Sequence, residues 1–340
     1  MLSGTESTTT TGVTPYRGWI GPRQSGWAAQ VLNFLELDIR PATRVFVKPN
    51  FTWKKHLAGI TTSPEFLREL VHELAERGAK VTLGESNGGN NLFTAEEAFQ
   101  EHGVYELERK YGVRVMNLTS APRRRVRIDS RCEVEFSAPL LDEFDLVLSA
   151  PVPKVHAMTR ASLAIKNLWG CMPDPMRLRH HWNISEVLCF LVKELPTTAA
   201  ICDGTHFLNE FGPMDGTAIS RGLVIGSNNL VAASVLCCRL MNIDPGEVPI
   251  LRCAIGKQLG PSQWQEVLLN CPIEPFLSPV NYEAKPNAIT YVTKAAFHSQ
   301  ALTKFLYDSP SGRILHQCLY RLRRREFFRF LIYGNRQYVE

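Results

Sequence analysis

The pattern of apolar and polar residues predicts alternating strands and helices from about residue 42 onward. Residues 44–50 form a short apolar run closed by a proline, which is typical of a buried strand that leads into a loop. A helix is predicted to start at Ser63 and Pro64, because serine is a good N-cap and proline suits the first helical position. Residues 79–85 form the next apolar strand. These elements together predict one β-α-β unit.

The same alternation continues along the chain. Thr94 predicts the start of a second helix, and a third helix is predicted at residues 185–195. Further strands are predicted at residues 114–118, 145–150, 199–203 and 222–226. Such alternation favours an α/β fold, in which a mainly parallel sheet carries helices on both faces. It leaves open a division of the core into two lobes, at residues 40–150 and 151–285.

Three segments differ in composition. Residues 1–20 begin with a run rich in threonine and serine that lacks the apolar core of a secretory signal, so a disordered leader is expected. Residues 21–285 form the predicted α/β core. Residues 286–340 are basic and aromatic and are predicted to be helical. That last segment could be a packed surface helix, a homodimer arm or a contact with an anionic surface.

Charge and cysteine content narrow the class of protein. The net charge of +5 over 340 residues is modest, and part of it comes from arginines at 123–125 and 321–325. Because this charge is modest and no known nucleic-acid-binding module accompanies it, RNA binding is the less favoured interpretation. The nine cysteines form no C-x-x-C pair, which indicates reduced thiols and a cytoplasmic protein. No apolar run approaches the length of a membrane span.

Polar residues follow several of the predicted strands. In an open parallel sheet, ligands bind beyond the carboxyl ends of the strands, so polar side chains there are candidates for a site. These candidates are Lys48, Asn50, Glu85, Ser86, Lys154, His156 and Asp203.

Residues 161–169 place Lys166 inside an apolar stretch, followed directly by Asn167 as a further substrate-binding candidate. A lysine in that setting can act as a base or nucleophile or bind an anion, and it can equally be a lysine that extends from an amphipathic helix into solvent. Together with His156, His181 could provide metal ligands or an acid–base pair. Alternatively it makes an ordinary surface or core contact.

Several phrases resemble one family. The chain is similar to domain-of-unknown-function family 362 over roughly residues 44–260. The matching phrases are Val47-Lys-Pro-Asn50, Lys154-Val-His156, Ala164-Ile-Lys-Asn-Leu-Trp-Gly170, Asp203-Gly204 and Gly212-Pro-Met-Asp-Gly216. Many members carry a ferredoxin-like segment with closely spaced cysteines. This chain lacks that segment, so no iron–sulfur cluster is expected.

A more distant resemblance is to the nickel-pincer lactate racemase superfamily. It implies that His156 is an acid–base residue, that Lys166 holds the pincer nucleotide covalently, and that His181 binds nickel. The superfamily's second catalytic histidine has no counterpart here, so two-base racemisation is not expected.

The sequence therefore predicts an enzyme that acts on a small anionic metabolite through lysine and histidine chemistry, with a divalent metal or a lysine-linked cofactor as an open option. Lys48, Lys154 and Lys166 would orient the anion, and His156 would move a proton. Isomerase, transferase and redox reactions all stay open. The alternative is a non-catalytic accessory protein that holds a metal or a cofactor.

Overall fold

A ten-stranded sheet forms the centre of the protein in the computed structural model, which describes residues 15–285, 291, 297, 299–312 and 314. In chain order the strands are β1 (Arg17–Pro22), β2 (Arg44–Pro49), β3 (Lys80–Glu85), β4 (Arg114–Asn117), β5 (Arg123–Arg127), β6 (Glu133–Ser137), β7 (Leu146–Ala150), β8 (Lys154–His156), β9 (Arg160–Ser162), β10 (Thr197–Asn209), β11 (Thr217–Ser227) and β12 (Leu268–Leu269). Strands β5 and β6 form a separate hairpin.

Ten α-helices are described. They are α1 (Trp27–Leu35), α2 (Pro64–Glu76), α3 (Ala95–Glu101), α4 (Val104–Tyr111), α5 (Ala138–Asp142), α6 (Ala164–Asn167), α7 (Ile184–Glu194), α8 (Leu230–Leu240), α9 (Pro249–Gly256) and α10 (Gln300–Asp308). Short 3-10 helices include Gly89–Asn91, Leu168–Cys171 and Arg177–Asn183. None of the described helices has the length and hydrophobicity that a membrane span requires.

The main path through the sheet has the order β12-β1-β11-β10-β7-β2-β3-β4. Strands β10, β7, β2, β3 and β4 run parallel to one another, whereas β11 is antiparallel to both β10 and β1. The predicted α/β fold with a mainly parallel sheet is therefore confirmed. Strand β7 lies beside β10, so a single sheet continues across the predicted boundary between the two lobes.

Alternating side chains of the central strands enter two separate hydrophobic cores. In β2, Phe46 belongs to one core, while Val45 and Val47 belong to the other. Helices α1 to α4 cover the second core, and α6 to α9 cover the first. Both faces of the sheet are therefore buried, and this burial explains why the strands are apolar at consecutive positions.

The predicted helix starts have the expected caps. The Oγ atom of Ser63 accepts a hydrogen bond from the backbone N–H of Phe66 at 3.4 Å, and Pro64 is the first residue of α2. Thr94 and Glu97 form a capping box at the start of α3, where each side chain bonds the other residue's backbone N–H.

The chain enters the sheet earlier than the sequence indicated. Strand β1 starts at Arg17, inside the predicted leader of residues 1–20, and pairs with β11 and β12. The prediction of a disordered leader is wrong for residues 17–20, because these residues belong to β1 and pair with neighbouring strands of the sheet. Residues 1–14 lie outside the described residues. Of the predicted C-terminal helical segment, α10 is described, whereas the arginines at 321–325 lie outside the described part of the chain.

Candidate functional site

Parallel strands bring several of the predicted polar residues to one edge of the sheet. Strands β3, β2 and β7 are neighbours, so Glu85, Lys48 and the residues after Ala150 lie at adjacent carboxyl ends. The chain after β7 passes beside β10, whose N–H groups at Asp203 and Leu208 bond to the carbonyls of the prolines at 151 and 153. This pairing with β10 holds β8 beyond the carboxyl end of β7.

Lys48 and Glu85 form a buried ion pair at the floor of this region. The Lys48 Nζ lies 2.5 Å from Glu85 Oε2 and also donates to the carbonyl of Pro49 at 2.7 Å. The carboxylate of Glu85 accepts further bonds from the backbone N–H groups of Phe51 and Ser86. A buried charge needs such partners, and here each charge compensates the other.

Gly170 and Asn167 hold the chain close to this ion pair. A Cβ atom on Gly170 would lie 2.6 Å from Glu85 Oε1 and 2.9 Å from Lys48 Nζ, so a larger residue there would displace the ion pair. The hydroxyl of Ser86 donates to the Gly170 carbonyl at 2.7 Å. The amide of Asn167 donates to the Lys48 carbonyl at 2.9 Å. Ser86 and Asn167 therefore connect segments of the backbone at this edge.

Lys154 is fully buried and uses all three of its N–H donors. Its Nζ donates to Asn50 Oδ1 at 3.2 Å, to Thr52 Oγ1 at 2.8 Å and to the Ile60 carbonyl at 2.6 Å. Burial lowers the pKa of Lys154 well below its ordinary value, and the charges of Lys166 and Lys48 lower it further. With its three donors occupied, Lys154 has none left for a direct bond to a ligand.

The ring of His156 is held in one tautomer. Its Nδ1 accepts hydrogen bonds from the backbone N–H groups of Met158 at 3.1 Å and Thr159 at 3.4 Å. Because Nδ1 is an acceptor, the proton of the neutral ring sits on Nε2. Burial lowers the pKa of His156 well below its ordinary value, and the nearby Lys166, His181 and Lys154 add to this decrease. His156 is therefore a neutral imidazole that presents an N–H group.

Lys166 differs from the other two lysines. It lies in α6, its side chain is half-buried, and it has no hydrogen bond or ion pair with any residue in the part of the chain that the structure describes. Burial lowers the pKa of Lys166 from 10.5 to about 7, with a further contribution from the positive charge of Arg177. A substantial fraction of this amine is thus uncharged near neutral pH, and such an amine is both basic and nucleophilic.

These groups line one cavity of about 470 Å³. Six apolar residues form part of its wall while remaining half-buried, and they are Leu92, Met158, Leu178, Phe211, Pro213 and Met214. The loop that carries Phe211 to Met214 packs tightly on β8. A Cβ atom on Gly212 would lie 1.9 Å from the Val155 carbonyl oxygen, so glycine is required at that position.

Asp203 does not line this cavity, and the prediction that it ends a strand is wrong. Strand β10 continues to Asn209 because residues 151–154 extend the sheet beside it. The Asp203 carboxylate accepts hydrogen bonds from the Ser63 backbone N–H at 2.8 Å and from the Thr205 hydroxyl at 2.6 Å. It lines a separate, smaller cavity and joins the start of α2 to β10.

Arg177 is a site residue that the sequence reasoning missed. It lies one turn before His181 in the short helix Arg177–Asn183, is buried, and donates to the Asn87 carbonyl at 2.9 Å. The signal available in the sequence was an arginine in the same segment as the candidate histidines. The half-buried apolar wall carried no such signal, because apolar residues in loops occur throughout the chain.

His181 is placed beside the other candidates. Its ring centroid lies 6.3 Å from that of His156 and 6.1 Å from that of Trp169. In the described chain, no group of three or more His, Cys, Asp or Glu side chains could hold a metal. His156 also presents an N–H and not a lone pair, so this pair does not fit a metal held by both histidines.

The arginines of β5 are occupied by carboxylates. Arg123 pairs with Glu135 at 3.1 Å, Arg124 pairs with Asp142, and Arg125 pairs with Glu133 at 3.5 Å. Such pairing reduces the positive potential that this cluster would offer to a phosphate backbone.

The protein is thus an α/β protein with a cavity, lined by several cationic side chains, at the carboxyl ends of its parallel strands. The chain belongs to the domain of unknown function family DUF362, whose family model matches residues 45–239. A thylakoid-associated protein of Synechocystis sp. is 25% identical over 230 residues, which is 65% of this chain and 70% of that protein.

Two solved structures show weak similarity. A putative zinc-dependent alcohol dehydrogenase of Rhodobacter sphaeroides gives a TM-score of 0.26 at 16% identity, covering 54% of this chain and 48% of that one. A protein from Thermotoga maritima gives a TM-score of 0.36 at 13% identity, covering 68% and 58%. This chain thus matches roughly half of each of the two solved chains.

Proposed function

We propose that this protein is an enzyme that acts on a small anionic substrate and uses Lys166 as its base or nucleophile. The observation that carries this proposal is an amine inside a ligand-sized cavity, without a partner among the described residues and with a pKa of about 7. A protein gains no stability from an amine held in this way. Such unfavourable placement of a titratable group in a cleft is typical of functional sites.

The charge around the cavity favours an anion. Lys48, Lys154, Lys166 and Arg177 line it, against the two carboxylates of Glu85 and Asp215. Glu85 is occupied by Lys48, so the positive potential of the remaining cations faces the cavity. An entering carboxylate or phosphate would relieve the repulsion among these cations and would raise the pKa of Lys166 in the complex.

His156 takes a different role from the one that the sequence suggested. With Nδ1 bonded to two backbone N–H groups, its free nitrogen is Nε2–H, which donates a hydrogen bond and does not accept a proton. A neutral imidazole N–H can polarise a carbonyl or stabilise a developing oxyanion. We therefore assign proton transfer or covalent attack to Lys166 and oxyanion stabilisation to His156.

A small anionic aldehyde tests the proposal without knowledge of the substrate. Glyoxylate would condense with the Lys166 amine, releasing water, and cyanoborohydride would reduce the resulting imine to a stable secondary amine. Peptide mass spectrometry should show labelling of Lys166 about tenfold faster than of the exposed Lys80, with the rate rising through about pH 7. Propionate should protect Lys166 but not Lys80.

Equal labelling of Lys166 and Lys80 would refute the assignment of Lys166. Turnover is then tested by incubating the protein with a mixture of carboxylic acid metabolites, with Lys166→Met as the inactive control. An intact-mass measurement of protein from its native host addresses the accessory-protein alternative. A stable added mass on Lys166, without any turnover, would favour that alternative.

A further inference from the structure

The cavity is lined by both cationic and apolar side chains, and the proposed function does not involve the apolar ones. Its cationic side chains come from β2, β8, α6 and the short helix Arg177–Asn183. Most of its half-buried apolar side chains come from loops, mainly the segments around Leu92 and around residues 211–214, and Leu178 comes from the same short helix as Arg177. A ligand that only carried charge would leave these apolar side chains facing water.

Lys166 and His156 supply a second indication of a ligand. Both residues line the cavity, yet the Lys166 amine and the Nε2–H group of His156 have no hydrogen-bond acceptor within the described chain. A buried donor without an acceptor costs about 1–3 kcal/mol, so native proteins rarely leave one unsatisfied. An acceptor atom on a bound ligand would satisfy both donors.

The size of the cavity agrees with a ligand larger than a three-carbon acid. A volume of about 470 Å³ lies within the range of roughly 300–1,000 Å³ typical of pockets for drug-sized molecules. Phe297, whose ring lies 5.8 Å from that of His181, closes part of the wall. Two of the half-buried apolar residues, Met158 and Met214, are flexible side chains that adapt to ligand shape.

We propose that the site binds an amphipathic anion, in which a carboxylate or similar oxyanion is joined to an apolar body about the size of one ring. The oxyanion lies between Lys166 and His156. The apolar body contacts Leu92, Leu178 and the loop at residues 211–214. This inference rests on the proposed function, since it places the anion at the proposed catalytic amine, and it adds the second half of the substrate.

Isothermal titration calorimetry with three probes tests this inference. 3-Phenylpropionate should bind at least about tenfold more tightly than propionate, because its ring removes apolar surface from water. It should also bind about tenfold more tightly than uncharged 3-phenylpropanol, which lacks the anion. Lys166→Met should weaken the binding of both acids and leave the affinity for the alcohol unchanged.

Variants of two leucines separate the apolar contact from general damage. Leu178→Ser should weaken 3-phenylpropionate about fivefold or more while propionate binding stays unchanged, which also shows that the variant is folded. The control variant is Leu268→Ser, because Leu268 on β12 does not line the cavity and is 50% exposed. It should change the affinity for neither acid.

Each failure has a distinct meaning. Equal affinity for propionate and 3-phenylpropionate, with both weakened by Lys166→Met, would overturn the amphipathic ligand and keep the proposed function. Equal affinity for 3-phenylpropionate and 3-phenylpropanol, with neither affected by Lys166→Met, would overturn the anion site and with it the proposed function.

Discussion

Replacing Lys166 by methionine should make the folded protein more stable, in a way that depends on pH. The pKa of this amine is 10.5 in an ordinary environment and about 7 in the folded chain. Below about pH 7 the amine is charged in both states, so the folded state bears the full cost of burying the charge. Between these two pKa values the unfolded chain binds more protons than the folded one, and stability therefore rises with pH.

The size of the effect follows from the same two values. A tenfold change in proton affinity corresponds to about 1.4 kcal/mol, so lowering the pKa from 10.5 to about 7 costs the folded state about 5 kcal/mol when Lys166 is charged. Water reaches this half-buried side chain and reduces the cost to about 3 kcal/mol. Methionine removes the charge and keeps most of the volume, so Lys166→Met should recover this amount.

Urea denaturation at a series of pH values measures the prediction. The gain in free energy of unfolding should be about 3 kcal/mol near pH 6 and should approach zero near pH 10.5. Lys80→Met, at the exposed start of β3, is the matched control and should show no such trend. A Lys166→Met gain that stays constant over this range, or a loss of stability at acid pH, would show that Lys166 is not held in an unfavourable charged state.

Two further substitutions test the supporting structure. Glu85→Gln leaves the buried ammonium of Lys48 without its counter-charge and should cost about 3–5 kcal/mol by chemical denaturation, whereas Glu36→Gln, in an exposed ion pair, should cost less than about 1 kcal/mol. Similar losses in both variants would contradict the buried ion pair. Thr94→Ala removes the capping box with Glu97 and should cost about 1 kcal/mol, and an unchanged unfolding midpoint would show that this cap is dispensable.

Local sequence chemistry was sufficient for the elements that carry the site. Ser63, Pro64 and Thr94 identify helix starts because capping depends on a few neighbouring residues. Apolar runs identify β2 and β7 because both faces of a parallel sheet are buried. The expectation that polar residues follow the carboxyl ends of parallel strands placed Lys48 and Glu85 at one edge of the sheet, where the structure brings them into direct contact.

Pairing between distant segments decided where β10 ends and that β1 forms, which the local sequence did not indicate. Strand β10 passes the point where Asp203 appeared to end it, because a distant segment after β7 pairs with its extension. Strand β1 escaped prediction because its partners, β11 and β12, lie more than 200 residues further along the chain. Such contacts depend on which segments become neighbours, and no local pattern encodes that choice.

The sequence by itself determined the fold class, the family and the set of charged candidates around Lys166. The tertiary structure alone decided the chemical state of each candidate. Lys48, Lys154 and Lys166 are the same residue type, yet one has a carboxylate partner, one has three neutral acceptors, and one has no partner among the described residues. Because the pKa of an amine depends on its burial and its neighbours, the reactive lysine can be identified only when the neighbours are known.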